Sequence, residues 1–343
     1  MERIRNRRIC VGIALLTTLV VGVCSAGDED RASTEQLVAE MNQRIAIITL
    51  RERQGDVVPR FNQAKTVACV EGDFKVHEGL PDDLRQGIFA TPGSYPAFLR
   101  FANASNADDS EKDIRGLSIR LSNVRGPVLW GEPGHQDFLL NSYPALFVAT
   151  PEEFLLFIRA RQEGSMLRFF LNPFDAHLKS LWVLSKARER HLSPLDIRYW
   201  STVPFRLGPA NLPAVKYSVT PCSDYKTTQA VDPGANQLRS AMRSHLHQAP
   251  ACLHFGVQRQ TDPESMPIED ASVIWDEDAS PFVTVATLTI PDQDVESPEV
   301  LARCEKSAFN PWQSLAAHAP LGRMNAVRRE TYATAARLRA NPD

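Results

Sequence analysis

Arg328 and Tyr332 stand four residues apart in the basic stretch Arg323 to Arg339, inside a C-terminal region that reads as helical. Residues at i and i+4 share one face of a helix, so the Arg328 guanidinium can lie against the Tyr332 phenol. A free phenol ionises near about pH 10, and an adjacent cation favours the charged form. The pair therefore offers a phenolate oxygen. His245 and His247 make an HxH pair that suggests a metal, but acids and cysteines at ligand spacing are absent nearby. His135, His254 and His318 read as satisfied or surface side chains.

Of the six cysteines, Cys10 and Cys24 belong to the N-terminal segment. Cys69, Cys222, Cys252 and Cys304 remain, with no two at CxxC spacing. They read either as two disulfides of unassigned pairing in an oxidising compartment or as buried small apolar residues. No GxGxxG or GxxxxGK[ST] loop occurs, so a nucleotide site has no support. The 38 lysines and arginines against 41 aspartates and glutamates leave a net charge of −3, which gives no electrostatic case for nucleic acid. With 43% hydrophobic and 23% charged residues, the chain has the balance of a globular protein with a sizeable core.

The elements that must position these groups follow from patterning. Arg3, Arg5, Arg7 and Arg8, the apolar run Ile9 to Val23 and the small residues Cys24-Ser25-Ala26 read as a secretory signal over residues 1–26. Export to a periplasmic or extracellular compartment is the expectation. An uncleaved membrane anchor is the rival, although the run is short of the roughly 20 residues needed to span a bilayer. Ser33 reads as the N-cap of a helix, with Gln36 three residues on and Leu37, Met41, Ile45 and Ile48 on one face, ending at Gly55. It is expected to form an arm, residues 27–60, rather than part of the core.

Alternation over Ala97 to Phe101, Leu117 to Leu121 and Asp137 to Leu140 predicts strands separated by short turns. Pro151 to about Arg190 is predicted helical, with Pro151 in the first turn. Strands return at Ala214 to Val219, Leu253 to Val257 and Phe282 to Leu288, before the helical end. The order argues for an α+β fold built on an antiparallel sheet or barrel.

Several segments, in order, resemble the catalase family, especially its short members. These are Ala64-Lys65-Thr66 to Val76, Leu80 to Ala90, Arg100-Phe101-Ala102-Asn103, Asp113-Ile114-Arg115-Gly116, Asn141 to Phe147, Asn310-Pro311-Trp312 to Gly322, and Arg328 to Tyr332. The resemblance implies a catalase-like antiparallel eight-stranded β-barrel with surrounding helices over residues 61–343. It also implies haem b beside the barrel, with Tyr332 on the iron and Arg328 supporting it. Arg60 is implied on a haem propionate, Arg100 and Arg115 match further arginines, Phe154 matches a ring stacked on the haem, and Phe147 lies in the matched segment. The short members lack a C-terminal extension, so no nicotinamide site is expected.

On the distal side the chain departs from the family. Gln63 stands where the family has its catalytic histidine, and Ser142 where it has an asparagine; Asn141 is one place earlier. His77, shortly after the distal strand, is a candidate substitute. A histidine can take a proton from one peroxide oxygen and give it to the other; a glutamine amide only exchanges hydrogen bonds. The expectation is slow turnover of hydrogen peroxide, or action on organic hydroperoxides. The alternative is a non-catalytic haem-binding protein, or a barrel that has lost haem as well.

Overall fold

The structure, a computed structural model, describes residues 26–55, 57–172 and 176–341. The signal expected over residues 1–26 lies, Ala26 excepted, outside the described residues. Among the described residues no helix is long and apolar enough to cross a membrane.

Eight strands form a closed barrel in which every neighbour is antiparallel and consecutive in sequence. They are β1 (Lys65–Val76), β2 (Gly93–Asn103), β3 (Arg115–Leu121), β4 (Gln136–Asn141), β5 (Tyr199–Trp200), β6 (Val215–Pro221), β7 (Ala251–Arg259) and β8 (Val283–Ile290), and β8 closes on β1. Alternation sorts each strand between inside and outside. On β3, Leu117, Ile119 and Leu121 face inward and are buried, while Ser118 and Arg120 face outward and are half-buried. The interior is filled by Phe74, Phe138, Tyr217 and Phe255, in contact at ring separations of 4.9–5.4 Å. An eight-stranded barrel packed this way has no room for a large ligand, so any site must lie outside it. β5, two residues long, is too short to show a period in sequence.

Among the described residues seven helices surround the barrel: α1 (Ala26–Arg51), α2 (Pro151–Glu163), α3 (Met166–Leu171), α4 (Leu178–Ala187), α5 (Gln237–Gln248), α6 (Pro298–Lys306) and α7 (Gly322–Ala340). The Thr150 hydroxyl accepts from the Glu153 amide at 3.3 Å and Pro151 opens α2, while Gly164 closes it in the left-handed region. The continuous helical stretch expected to Arg190 is thereby broken into three helices. α1 starts at Ala26, so Ser33 lies within it rather than capping it. Met41, Ile45 and Ile48 are buried, and α1 packs on α2 and α7; it belongs to the core and is not a flanking arm.

The four cysteines expected to remain pair as Cys69–Cys304, joining β1 to α6, and Cys222–Cys252, joining β6 to β7. One short segment ties the helix bearing Tyr332 to β4. Asp137 of β4 takes both Nε and Nη2 of Arg120 at 2.7 Å and also accepts the Asn310 amide at 3.0 Å. Asn310 and Trp312 then donate to the carbonyls of Arg329 and Asn325 at 3.0 and 2.7 Å, fixing α7.

Candidate functional site

The outer face of β2–β4, together with α1, α2, α4 and α7, encloses a cavity of about 630 Å³. It is large enough for a drug-sized or cofactor-sized molecule. Three groups of residues meet in its wall.

The first is an amide pair. Gln63 precedes β1 with a positive φ of 56°, and its Nε2 donates to Asn141 Oδ1 at 3.1 Å. Gly116 beneath it has no side chain, and a Cβ there would lie 2.4 Å from Gln63 Cδ. That bare patch of β3 is what lets the glutamine occupy the wall. Its backbone carbonyl accepts from Arg100 Nη2 at 2.7 Å, while its Oε1 is buried without a protein partner. Ser142 is placed differently. Its Oγ accepts the Arg115 amide at 2.9 Å and its own amide donates to the Arg115 carbonyl at 2.8 Å, so it is spent on the strand edge and is not in the wall. Of the two sequence candidates, Asn141 faces the cavity.

The second group is the C-terminal pair. Arg328 Nη2 lies 3.3 Å from Tyr332 Oη, and Arg328 Nη1 donates to Asn325 Oδ1 at 3.1 Å, which orients the guanidinium. Both Arg328 and Tyr332 are in the wall, as the i, i+4 spacing predicts.

The third group is cationic. Arg60, Arg100 and Arg339 all reach the cavity. Arg60 Nη2 donates to the carbonyls of Cys304 and Ser307 at 3.0 Å, and Arg100 Nε donates to Thr66 Oγ1 at 3.0 Å. Burial pushes all three guanidinium groups below their usual range, Arg339 to about 9, and Arg60 depresses the other two further. Glu305 is the one carboxylate that tempers them. The Nε atoms of Arg60 and Arg339 are buried and have no hydrogen-bond partner, although Glu305 Oε2 lies 3.9 Å from Arg60 Nε. Three desolvated cations facing one carboxylate favour an anionic ligand, best a dicarboxylate. Arg339 was not singled out from sequence. It stands seven residues past Tyr332, close to two helical turns, and that spacing was the available signal.

Much of the remaining wall is apolar, although Asp113, Arg161 and Arg188 also line it. Phe147 lies 4.7 Å from Phe157, which stacks on Phe154 at 6.2 Å, and Met41 and Ile45 of α1 contribute. Arg115, expected with the other arginines, points elsewhere: it is buried against Asn103 Oδ1 at 2.5 Å and the Asp109 carbonyl at 3.1 Å, bracing the β2–β3 loop. His77 is engaged by Thr287 Oγ1 at 2.8 Å and is not in the wall. The HxH pair is split, with His245 buried under Tyr225 at 4.7 Å and His247 at the surface beside Asp292 at 3.0 Å.

No protein-family model matches the chain, and no curated protein matches it. Among solved structures it is similar to a fungal catalase (TM-score 0.65, 15% identity, 98% of this chain and 66% of that one). It is also similar to a bacterial catalase (0.63, 17%, 85% and 59%) and to catalase A of Saccharomyces cerevisiae (0.63, 15%, 98% and 69%). The fold is therefore catalase-like, an α+β barrel architecture, and the chain spans about two-thirds of the length of the catalases it matches.

Proposed function

We propose that this protein binds haem b in the cavity beside the barrel and consumes hydroperoxides, with weak activity toward hydrogen peroxide. One observation carries the reading: a Tyr332–Arg328 pair, a Gln63–Asn141 pair and the desolvated arginines Arg60, Arg100 and Arg339 share a single cavity. The residues fit the group. Tyr332 would ligate the iron, with Arg328 favouring the phenolate. Arg60, Arg100 and Arg339 would take the propionates, and Phe147 and Phe154 would flank the ring.

Haem, when bound, supplies the ferric centre at which a peroxide O–O bond can break. The chain's own residues set what that centre meets. The free Gln63 Oε1 can accept a hydrogen bond from a hydroperoxide O–H, and the Asn141 amide can donate one. Neither carries a proton between the two oxygens. The roughly 10²–10⁴-fold that a positioned acid–base group supplies is missing. An apolar wall and a distal acceptor suit an organic hydroperoxide better than hydrogen peroxide. The two disulfides and the positively charged, apolar N-terminus favour an exported, periplasmic or secreted setting.

A non-catalytic haem-binding role is the second reading. It is favoured by the hydrogen bond between Gln63 and Asn141, which engages both amides with each other. The test is an absorption spectrum of the purified protein with added haem, then assays with hydrogen peroxide and a lipid hydroperoxide. Haem binding that Tyr332→Phe abolishes is the expected result; normal haem loading in that variant removes the assignment. Haem binding with no turnover of either substrate selects the second reading.

A further inference from the structure

α3 and α4 are apolar on two sides. Their inner sides, including Met166, Phe170, Val183 and Leu184, line the cavity. Their outer sides carry Leu167, Leu171, Leu178, Leu181 and Trp182, exposed by 40–76%. These are five of the eleven exposed large hydrophobic residues among the described ones, on two short adjacent helices. A helix that is hydrophobic all round is normally buried, and a contiguous apolar surface patch marks an interaction site. Here the outer face meets water in the single chain, so it is built for a second apolar phase.

Charge selects the phase. α3 and α4 together contain one arginine, two lysines and no acid, a net +3 in a chain whose total is −3. Arg168 and Lys186 are exposed on the same helices as the leucines and Trp182, and Lys179, also exposed, donates its Nζ to Ser272 Oγ at 2.7 Å. Exposed tryptophan with cations at the rim of an apolar face is the composition of a helix lying in the headgroup layer of an anionic bilayer. A second copy of the same face would instead bring like charges together, which is unfavourable. Helices of six and ten residues cannot span a bilayer.

We propose that the outer face of α3 and α4 docks the protein on anionic lipid, in the plane of the interface. Docked this way, the cavity lies one helix layer from the acyl chains. On the haem reading above, that makes a lipid-derived hydroperoxide its substrate.

The docking is tested without haem, so its failure and that of the haem reading are separable. The full chain is mixed with phosphatidylglycerol–phosphatidylcholine vesicles carrying brominated acyl chains, and with phosphatidylcholine vesicles alone. Because the apolar run at Ile9–Val23 offers a second route to the membrane, the readout is quenching at Trp182, isolated by comparison with Trp182→Phe. The expected result is anionic-lipid-dependent quenching that Trp182→Phe loses. A variant carrying Leu167→Gln, Leu171→Gln and Leu178→Gln, with unchanged Tm, should weaken it about tenfold. Three outcomes overturn the proposal. One is no binding to anionic vesicles. Another is binding with identical quenching in Trp182→Phe, which assigns it to the N-terminal segment. The third is an oligomer in sedimentation that the leucine substitutions dissociate, which assigns the face to a second copy.

Discussion

Gln63 donates its side-chain amide to Asn141 at 3.1 Å and keeps its Oε1 free, so the distal wall presents hydrogen-bonding groups and no proton carrier. Its backbone sits at φ 56°, a region that histidine enters more readily than most residues. Gln63→His should therefore fold without added strain and restore a base. The expected gain in hydrogen peroxide turnover of the haem-loaded protein is about 10²–10⁴-fold, read as oxygen evolution. An unchanged rate would mean the missing base is not what limits the wild type.

Arg339 separates stability from ligand binding. Burial, with Arg60 nearby, lowers its pKa from 12.5 to about 9, so the fold disfavours its charged form. The penalty is fully present below about pH 9 and fades as pH rises toward the unfolded value. Arg339→Gln should accordingly raise the Tm of the haem-free protein at pH 7. The same change should weaken haem affinity by tenfold or more, about 1.4 kcal/mol, through loss of a carboxylate partner. Melts with and without haem read both signs; a lower haem-free Tm would count against the cationic cluster being unsatisfied.

Those two predictions draw on differently legible parts of the site. The strands were readable because alternation such as Leu117-Ser118-Ile119-Arg120-Leu121 survives in sequence, and the Arg328–Tyr332 pair because its spacing is local. Gln63 and Asn141 were readable only through resemblance, since 78 residues separate them and nothing local joins them. Arg339 was within reach of helical spacing. The cavity role of Met41 and Ile45 was not, because it depends on where α1 packs. α5 went unread although Leu238, Ala241, Met242 and Leu246 keep a helical period, and Arg115 was misplaced because its strand position does not show where a long side chain turns.

The anchor of α7 to β4 can be cut at Asp137. The Asp137 side chain is fully buried and bound by Arg120 and by the Asn310 amide. Asp137→Ala leaves the Arg120 guanidinium without its partner, and breaking such a pair costs about 3–5 kcal/mol. Urea denaturation should show a loss in that range. Haem affinity should fall as well, because the Asn310–Trp312 segment no longer fixes the helix bearing Tyr332.

The two disulfides should differ in worth. Cys69–Cys304 closes 235 residues and Cys222–Cys252 closes 30. On the chain-entropy account the first contributes about 5.5 kcal/mol and the second about 3.6 kcal/mol. Cys304→Ala should therefore destabilise more than Cys222→Ala in urea under non-reducing conditions. It should also weaken haem binding, since the carbonyls of Cys304 and Ser307 hold Arg60. Equal losses would refute the entropic ranking.

His318 makes the barrel acid-sensitive. It is fully buried, and the Ile88 amide donates to its Nε2 at 3.0 Å. Nδ1 therefore carries the proton and donates to Tyr217 Oη at 3.0 Å. Gly87 has φ +56°, and a Cβ there would sit 2.2 Å from Nε2, so the ring has no room to turn and no acceptor for a second proton. Burial lowers its pKa from 6.5 to about 3, and the half-buried His191, desolvated and near Arg115, falls to about 4. The unfolded chain thus binds protons that the fold refuses. Stability is intact above pH 6.5 and declines as pH falls toward the folded values, by about 1.4 kcal/mol per pH unit for each such histidine. His318→Gln keeps an acceptor and a donor but cannot titrate. Between pH 6.5 and 5 it should lose about 2 kcal/mol less unfolding free energy than the wild type. Parallel pH profiles for the two would show that His318 carries a proton inside the barrel after all.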